Sequence, residues 1–224
     1  MVNVTMLVHN RPRLTEQALR TLGHHNEMLV LDDTSDEETK RVIQSFPVDV
    51  YSIGESRGTG YARNLVIHQS ERIHGRGDYL YLSDNDVAAV RPDWLTILIA
   101  CYEIAWESGF RVIGGYNHPF HHPVASVPTH RHYRVHEVQA LALQSMLMKW
   151  SVWDEYGPFD ETPPGMVCQG EDVAFGNKIK AGGGRLGVVS PPLLVNTGIT
   201  NSFGQAIPGA EIVRAQIPVG VYAE

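Results

Sequence analysis

Asp84 and Asp86 stand two positions apart, just beyond the apolar run Tyr79-Leu80-Tyr81-Leu82. Two carboxylates at that spacing can grip one hard cation, Mg²⁺ or Mn²⁺, which then bridges a substrate diphosphate. The same residues also suit an Asx-turn that ends a strand and caps the next helix. The exit of a buried strand straight into carboxylates favours the ligand-binding reading. Farther along, Glu171-Asp172 follow Gly170 where a helix is predicted to begin. Acids there complement the helix dipole and cap the first turn. A carboxylate within reach of an acceptor hydroxyl is equally a general base, and spacing alone leaves the two readings level.

Other clusters carry weaker signals. Gly58-Thr59-Gly60-Tyr61-Ala62-Arg63-Asn64 opens a helix with small residues and a cation, which admits a phosphate or a base edge near a helix N-terminus. A surface arginine beside a turn glycine explains it as well, and no P-loop pattern is present. His118, His121, His122, His130, His132 and His136 crowd one stretch. Their spacing fits no zinc signature, so a solvated loop that grips an acceptor is the better expectation. Trp150 and Trp153 read as core packing.

The elements that must position these groups alternate. Strands are predicted at Val2–Val8, Met28–Leu31, Val48–Ile53, Tyr79–Leu82 and Arg111–Gly115. Helices are predicted at Pro12–Leu22, from Asp36 to Phe46, at Gly58–His74 and from Arg91 to near Gly109. This βαβ order predicts an α/β domain with a mostly parallel central sheet and helices on both faces. Right-handed crossovers bring the C-terminal strand ends to one edge. That edge then carries His9-Asn10-Arg11, Asp32-Asp33-Thr34 and Asp84-Asn85-Asp86. Residues 117–136 read as a long loop or irregular hairpin, 171–181 as a helix, 185–189 as a strand, and the tail from Asn201 as a surface wrap or active-site cover.

Bulk properties narrow the classes. A chain of 224 residues is expected to form a single domain. A net charge of −7 lacks the footprint of a nucleic-acid binder. Cys101 and Cys168 make neither a disulfide framework nor a zinc motif, and a reducing, cytoplasmic setting is expected. The opening strand does not read as a signal peptide, and no apolar run is long enough for a membrane helix.

Together the clusters resemble the GT-A (Rossmann-like) glycosyltransferases, most closely the inverting glycosyltransferase family 2. Val4-Thr5-Met6-Leu7-Val8-His9-Asn10-Arg11-Pro12 resembles the family's opening strand and turn, and Leu29-Val30-Leu31-Asp32-Asp33-Thr34-Ser35-Asp36 its V-D-D-x-S-x-D segment. Gly60-Tyr61-Ala62-Arg63-Asn64 is similar to the segment lining the nucleotide pocket, and Tyr79–Asp86 to the strand leading to the D-x-D. Val152-Trp153-Asp154-Glu155-Tyr156-Gly157-Pro158-Phe159-Asp160-Glu161 resembles an acceptor-side block, and Gly170-Glu171-Asp172-Val173-Ala174-Phe175 the G-E-D-x-D-L motif.

The resemblance implies a single GT-A domain: a nucleotide-sugar half at 1–115, an acceptor half at 116–200 and a tail at 201–224. It implies a donor linked to UDP or GDP and a Mn²⁺ or Mg²⁺ ion held by Asp86 and Asp84. His9, Asn10, Arg11, Asp84 and Asn85 would line the donor site, with Asp33 and Arg63 holding the base. Asp172 would be the catalytic base, supported by Glu171. The acceptor would be a glycan, a lipid-linked sugar, a protein or a small molecule, with nucleic acid less favoured. Two positions depart from the family: Asn196 stands where a metal-ligating histidine is common, and Ala174 replaces an acid. The rivals are a nucleotidyltransferase, for which the basic Gly-rich loop is missing, and a catalytically silent sugar-nucleotide-binding module.

Overall fold

A computed structural model describes residues 1–23, 27–115, 123–141, 144–161 and 170–198. His118, His121, His122, Cys168 and the tail from Asn201 lie outside the described residues.

The chain opens with β1 (Val2–Val8), α1 (Pro12–Leu22), β2 (Met28–Asp33), α2 (Glu37–Gln44), β3 (Asp49–Ile53), α3 (Thr59–His74) and β4 (Tyr79–Asp84). Next come β5 (Val87–Ala89), α4 (Trp94–Trp106) and β6 (Phe110–Gly114). The remainder is β7 (Ser126–Pro128), β8 (Arg134–Val138), β9 (Ser145–Lys149), α5 (Trp150–Tyr156), α6 (Glu171–Ala181), β10 (Arg185–Ser190) and β11 (Leu194–Asn196). Local chemistry accounts for the boundaries. Asp36 caps α2 by accepting from the Thr39 amide (2.8 Å), with Glu37 and Glu38 in the positive first turn. Pro12 opens α1, where its missing N–H costs nothing.

Among the described residues nine strands form one sheet in the order β3-β2-β1-β4-β9-β6-β10-β8-β7. β3, β2, β1 and β4 run parallel, as the alternating pattern predicts. Between β4 and β6 the structure inserts β9, antiparallel to both, so the sheet is mixed. Met146, Leu147 and Met148 explain the insertion: they are apolar toward both faces and fully buried, which a central strand alone accommodates. The described part of 117–136 is a β7–β8 hairpin on the far edge.

Two hydrophobic layers cover the sheet. Leu19, Leu22, Ile43, Trp94, Leu98 and Tyr102, from α1, α2 and α4, pack on one face. Ala62, Val66, Ile67, Val152, Phe175 and Ile179, from α3, α5 and α6, pack on the other. Trp153 packs on Phe159 and Phe175, and the buried Trp150 donates to Asn3 Oδ1 (3.0 Å), so both tryptophans are core residues. No described helix is long and apolar enough to cross a membrane.

Asn3 is the polar exception in β1. Its amide donates to Ser70 Oγ (3.2 Å) and the Gly75 carbonyl (2.8 Å), and its oxygen accepts from the Gly77 amide (2.7 Å) and Trp150. Asn3→Leu leaves the buried Ser70 and Trp150 without this partner and should destabilise the protein by about 2–4 kcal/mol. Urea denaturation checks this; an unchanged midpoint would contradict it.

Candidate active site

The C-terminal edge of the parallel strands is built around a strained turn. Asn10 (φ 55°) and Arg11 (φ 65°) are both left-handed, which costs roughly 1–2 kcal/mol per residue. Three hydrogen bonds hold Asn10 there. Its amide donates to Ser35 Oγ (2.9 Å), its side-chain oxygen accepts from the Asp36 amide (2.8 Å), and its carbonyl accepts from Asn85 Nδ2 (2.8 Å). Asn85 also donates to Thr15 Oγ1 (2.8 Å), so this residue of the D-x-D brackets the β1–α1 turn. His9 Nδ1 lies 2.6 Å from the Asp33 carbonyl, which can only accept, so Nδ1 carries the proton. Nε2 lies 3.2 Å from Asn10 Nδ2, and the exposed ring is pinned at the edge.

The two acids after β2 play different parts. Asp32 is fully engaged, accepting from the Ser35 amide (2.9 Å) and Ser52 Oγ (3.2 Å). Asp33 accepts from Ser56 Oγ through Oδ2 (2.9 Å), while its Oδ1 is buried without a partner. Burial raises the Asp33 pKa, against the lowering effects of Ser56 and His9. A buried acceptor oxygen without a protein partner is free to accept a hydrogen bond from a ligand N–H.

At the end of β4, Arg63 of α3 reaches Asp84 Oδ1 (2.6 Å). This pair places Arg63 beside the D-x-D. Asp86 is buried, with Oδ2 3.3 Å from Arg11 Nη1 and Oδ1 without a partner. Burial foremost, then the Asp84 charge, pushes its pKa up to about 6, against the pull of Arg11 and Asn196. The β5–β11 pair brings Asn196 alongside: Thr197 donates from its amide (2.6 Å) and hydroxyl (3.1 Å) to the Asp86 carbonyl. Asn196 Oδ1 accepts from the Gly198 amide (2.7 Å), and Nδ2 is buried without a partner. A Cβ on Gly198 would stand 2.9 Å from Asp86 Oδ2, so glycine keeps this corner open.

These donors fit a hard divalent cation. The unpartnered Asp86 Oδ1 is a buried anionic oxygen awaiting a positive charge, and Asp84 and Asn196 add oxygens of the type Mg²⁺ and Mn²⁺ prefer. Among the described residues no three His, Cys, Asp or Glu side chains gather into a self-sufficient metal site. Ligand oxygens would have to complete the coordination.

The second carboxylate pair sits at the N-terminus of α6. Glu171 is buried and accepts from Thr59 Oγ1 of α3 (2.5 Å). Asp172 is half-buried and accepts from the Val173 amide (2.7 Å). Burial raises its pKa, with Glu171 adding and Arg63 subtracting. The same α3 helix fixes the preceding loop, because Asn64 exchanges hydrogen bonds with the Phe159 backbone (3.0 and 2.9 Å). Sequence reading missed Thr59, Asn64 and Ser56 as parts of the site. They lie in or beside the flagged glycine-bounded segment, but their partners are distant in sequence.

The sequence pattern described as "Glycosyl transferase family 2" matches residues 4–123. The chain belongs to glycosyl transferase family 2. That match spans β1 to just beyond β6 and so includes the edge bearing Asp33, Arg63, Asp84 and Asp86. Solved structures share the GT-A fold. S. aureus TarS 1–349 is 16% identical, with a TM-score of 0.62 over 87% of this chain and 60% of its own. GalNAc-T7 with UDP, GalNAc and Mn²⁺ is 15% identical, with a TM-score of 0.63 over 88% and 43%. The mannosyltransferase PcManGT from Pyrobaculum calidifontis, in complex with GDP-Man and Mn²⁺, is 15% identical, with a TM-score of 0.62 over 96% and 61%. The family 2 chain thus spans about three-fifths or less of these proteins' lengths. No curated protein matches it by sequence.

The raised Asp86 pKa carries a sign. A carboxyl that binds its proton more tightly in the fold adds stability below the unfolded value near 4. That stability is lost as pH rises through about 6. Asp86→Asn should therefore stabilise the metal-free protein at pH 7.5 by about 1–3 kcal/mol, the gain vanishing toward pH 4. Thermal melts across that range check this; a variant less stable than wild type at pH 7.5 would contradict it.

Proposed function

We propose that this family 2 chain is a metal-dependent, inverting glycosyltransferase that moves a sugar from a nucleoside-diphosphate donor to an acceptor hydroxyl. The observation that carries the reading is the arrangement of three carboxylates on one sheet edge. Asp33 and Asp86 each hold a buried oxygen without a partner, and Asp172 stands at the head of α6. Family membership and the GT-A fold support it. GalNAc-T7 carries UDP and Mn²⁺, and PcManGT carries GDP-Man and Mn²⁺, which supports a UDP- or GDP-linked donor here.

In this reading residues 1–115 are the nucleotide-sugar half and 116–200 the acceptor half of one domain, working in the cytoplasm. Asp33 Oδ1 accepts a base N–H, and the His9 ring and the Asn10 turn border the base. Arg63, paired with Asp84, lends its charge to the diphosphate side of the pocket rather than to the base. Asp86, Asp84 and Asn196 would hold Mn²⁺ or Mg²⁺, whose Lewis acidity would neutralise charge on the leaving diphosphate. Asn85 keeps the turn in register. Asp172, its proton affinity raised by burial, takes the acceptor's proton as the hydroxyl attacks the anomeric carbon. Glu171, locked by Thr59, fixes the start of α6 and so aims Asp172. One displacement inverts the anomeric centre.

Asp172→Asn should cut transfer by about 10²–10⁴-fold while leaving the donor's thermal shift intact; substantial turnover by the variant would remove Asp172 as base. NMR of the first product released by the wild type should show an anomeric configuration opposite to the donor's. Retention would rule out single displacement.

A further inference from the structure

Charge is unevenly spread along this chain. It carries 25 acidic residues and a net charge of −7, yet no Asp or Glu occurs between Glu107 and Glu137. The described end of that stretch is the β7–β8 hairpin. Its tip is closed by the Thr129 amide on the Tyr133 carbonyl (2.9 Å) and the Tyr133 amide on the His130 carbonyl (3.1 Å). Tyr133 and Val135 are buried in the α4-side core, and the buried Cys101 of α4 lies against Thr129 and His130. The hairpin is therefore firmly seated, and the charged residues exposed on it are basic, Glu137 at its base being partly exposed and paired with Arg185. Arg131, in a left-handed conformation (φ 56°), His132 and Arg134 are exposed, and His130 and His136 are partly so. Arg134 donates to Ser126 Oγ (3.2 and 2.9 Å), and His132 stacks on Tyr133 at 4.4 Å. Asp93, the carboxylate Arg131 faces, is already paired with Arg91.

Register places this surface. Arg134 pairs with Ser190 at the C-terminal end of β10, and His136 with Val188. Directly opposed residues share a sheet face. Val188 packs with Phe175 and Ile179 of α6, so Arg134 and His136 stand on the face that α6 covers. The N-terminus of α6 carries Asp172. Arg134 and His136 thus lie on the same face as the proposed catalytic base, toward the edge where strand β10 ends, while Arg131 sits at the tip and faces Asp93 beside α4.

We propose that this hairpin is a binding surface for an anionic acceptor, a chain of phosphate-bearing units that passes from Arg131 at the tip over Arg134 toward Asp172. The inference rests on the transferase reading for the word acceptor; the anion surface itself stands on the hairpin alone. The test is fluorescence anisotropy of labelled inorganic polyphosphate with the full chain and with Arg131→Gln/Arg134→Gln. Neutral dextran, a DNA duplex and phosphatidylglycerol vesicles serve as separate arms. Polyphosphate should bind the wild type, weaken as salt rises and bind the double variant about tenfold more weakly, with dextran unbound. No polyphosphate binding, or equal binding by both proteins, would overturn the proposal. Tighter binding of DNA or vesicles than of polyphosphate would also overturn it, by assigning the surface to another macromolecule. Thermal shift with UDP- and GDP-sugars separates the two questions. Its absence in the wild type would count against the transfer site, whereas an unchanged shift in the double variant ties any polyphosphate loss to the hairpin.

Discussion

A buried carboxylate with one oxygen unsatisfied is the constraint around which the described structure is arranged. Asp86 is held at the end of β4 with Arg11 on one oxygen and nothing on the other. Ionised in that position it opposes folding, so surrounding bonds must over-determine it. They do so from three directions. Thr197 grips its backbone, Asn85 fastens the adjacent turn, and the β5–β11 pair walls the corner. The left-handed Asn10 and Arg11 belong to the same device, since that turn delivers the Arg11 guanidinium to Asp86. In the proposed reading a cation brought by a ligand would relieve the imbalance.

Helix α3 links the two halves of the edge. Arg63 holds Asp84, Thr59 holds Glu171, and Asn64 holds the backbone at Phe159. One rigid helix therefore sets the metal-side carboxylate, the start of α6 and the loop before it. Gly60 is what lets that loop approach: a Cβ there would meet the Asp160 carbonyl at 2.2 Å. Side chains of this single element thus tie the end of β4 to the start of α6.

Much of the scaffold was legible because its signals are local. Apolar runs ending in acids mark β2 and β4, and Asp36 with Glu37 and Glu38 marks the start of α2 through capping chemistry. The antiparallel β9 was not legible. Ser145–Lys149 is not read as a strand from its sequence, and its choice of neighbours depends on packing between β4 and β6, far away in sequence. The site divides the same way. Asp84 and Asp86 stood out by type and position, and the Glu171-Asp172 pair only through the motif resemblance. The division of labour between Asp32 and Asp33, the bracket role of Asn85 and the Arg63–Asp84 pair rest on which oxygen finds which donor. Residue order carries no record of that.

The account stands or falls on whether the edge binds a nucleotide-sugar through a divalent cation. Calorimetric titration of UDP- and GDP-linked sugars into the intact chain, with Mn²⁺ and then with EDTA, measures this directly. The account predicts saturable binding of one donor class in Mn²⁺, lost in EDTA and lost in Asp86→Ala. Binding that is indifferent to both the metal and Asp86, or no binding of any donor, would contradict it.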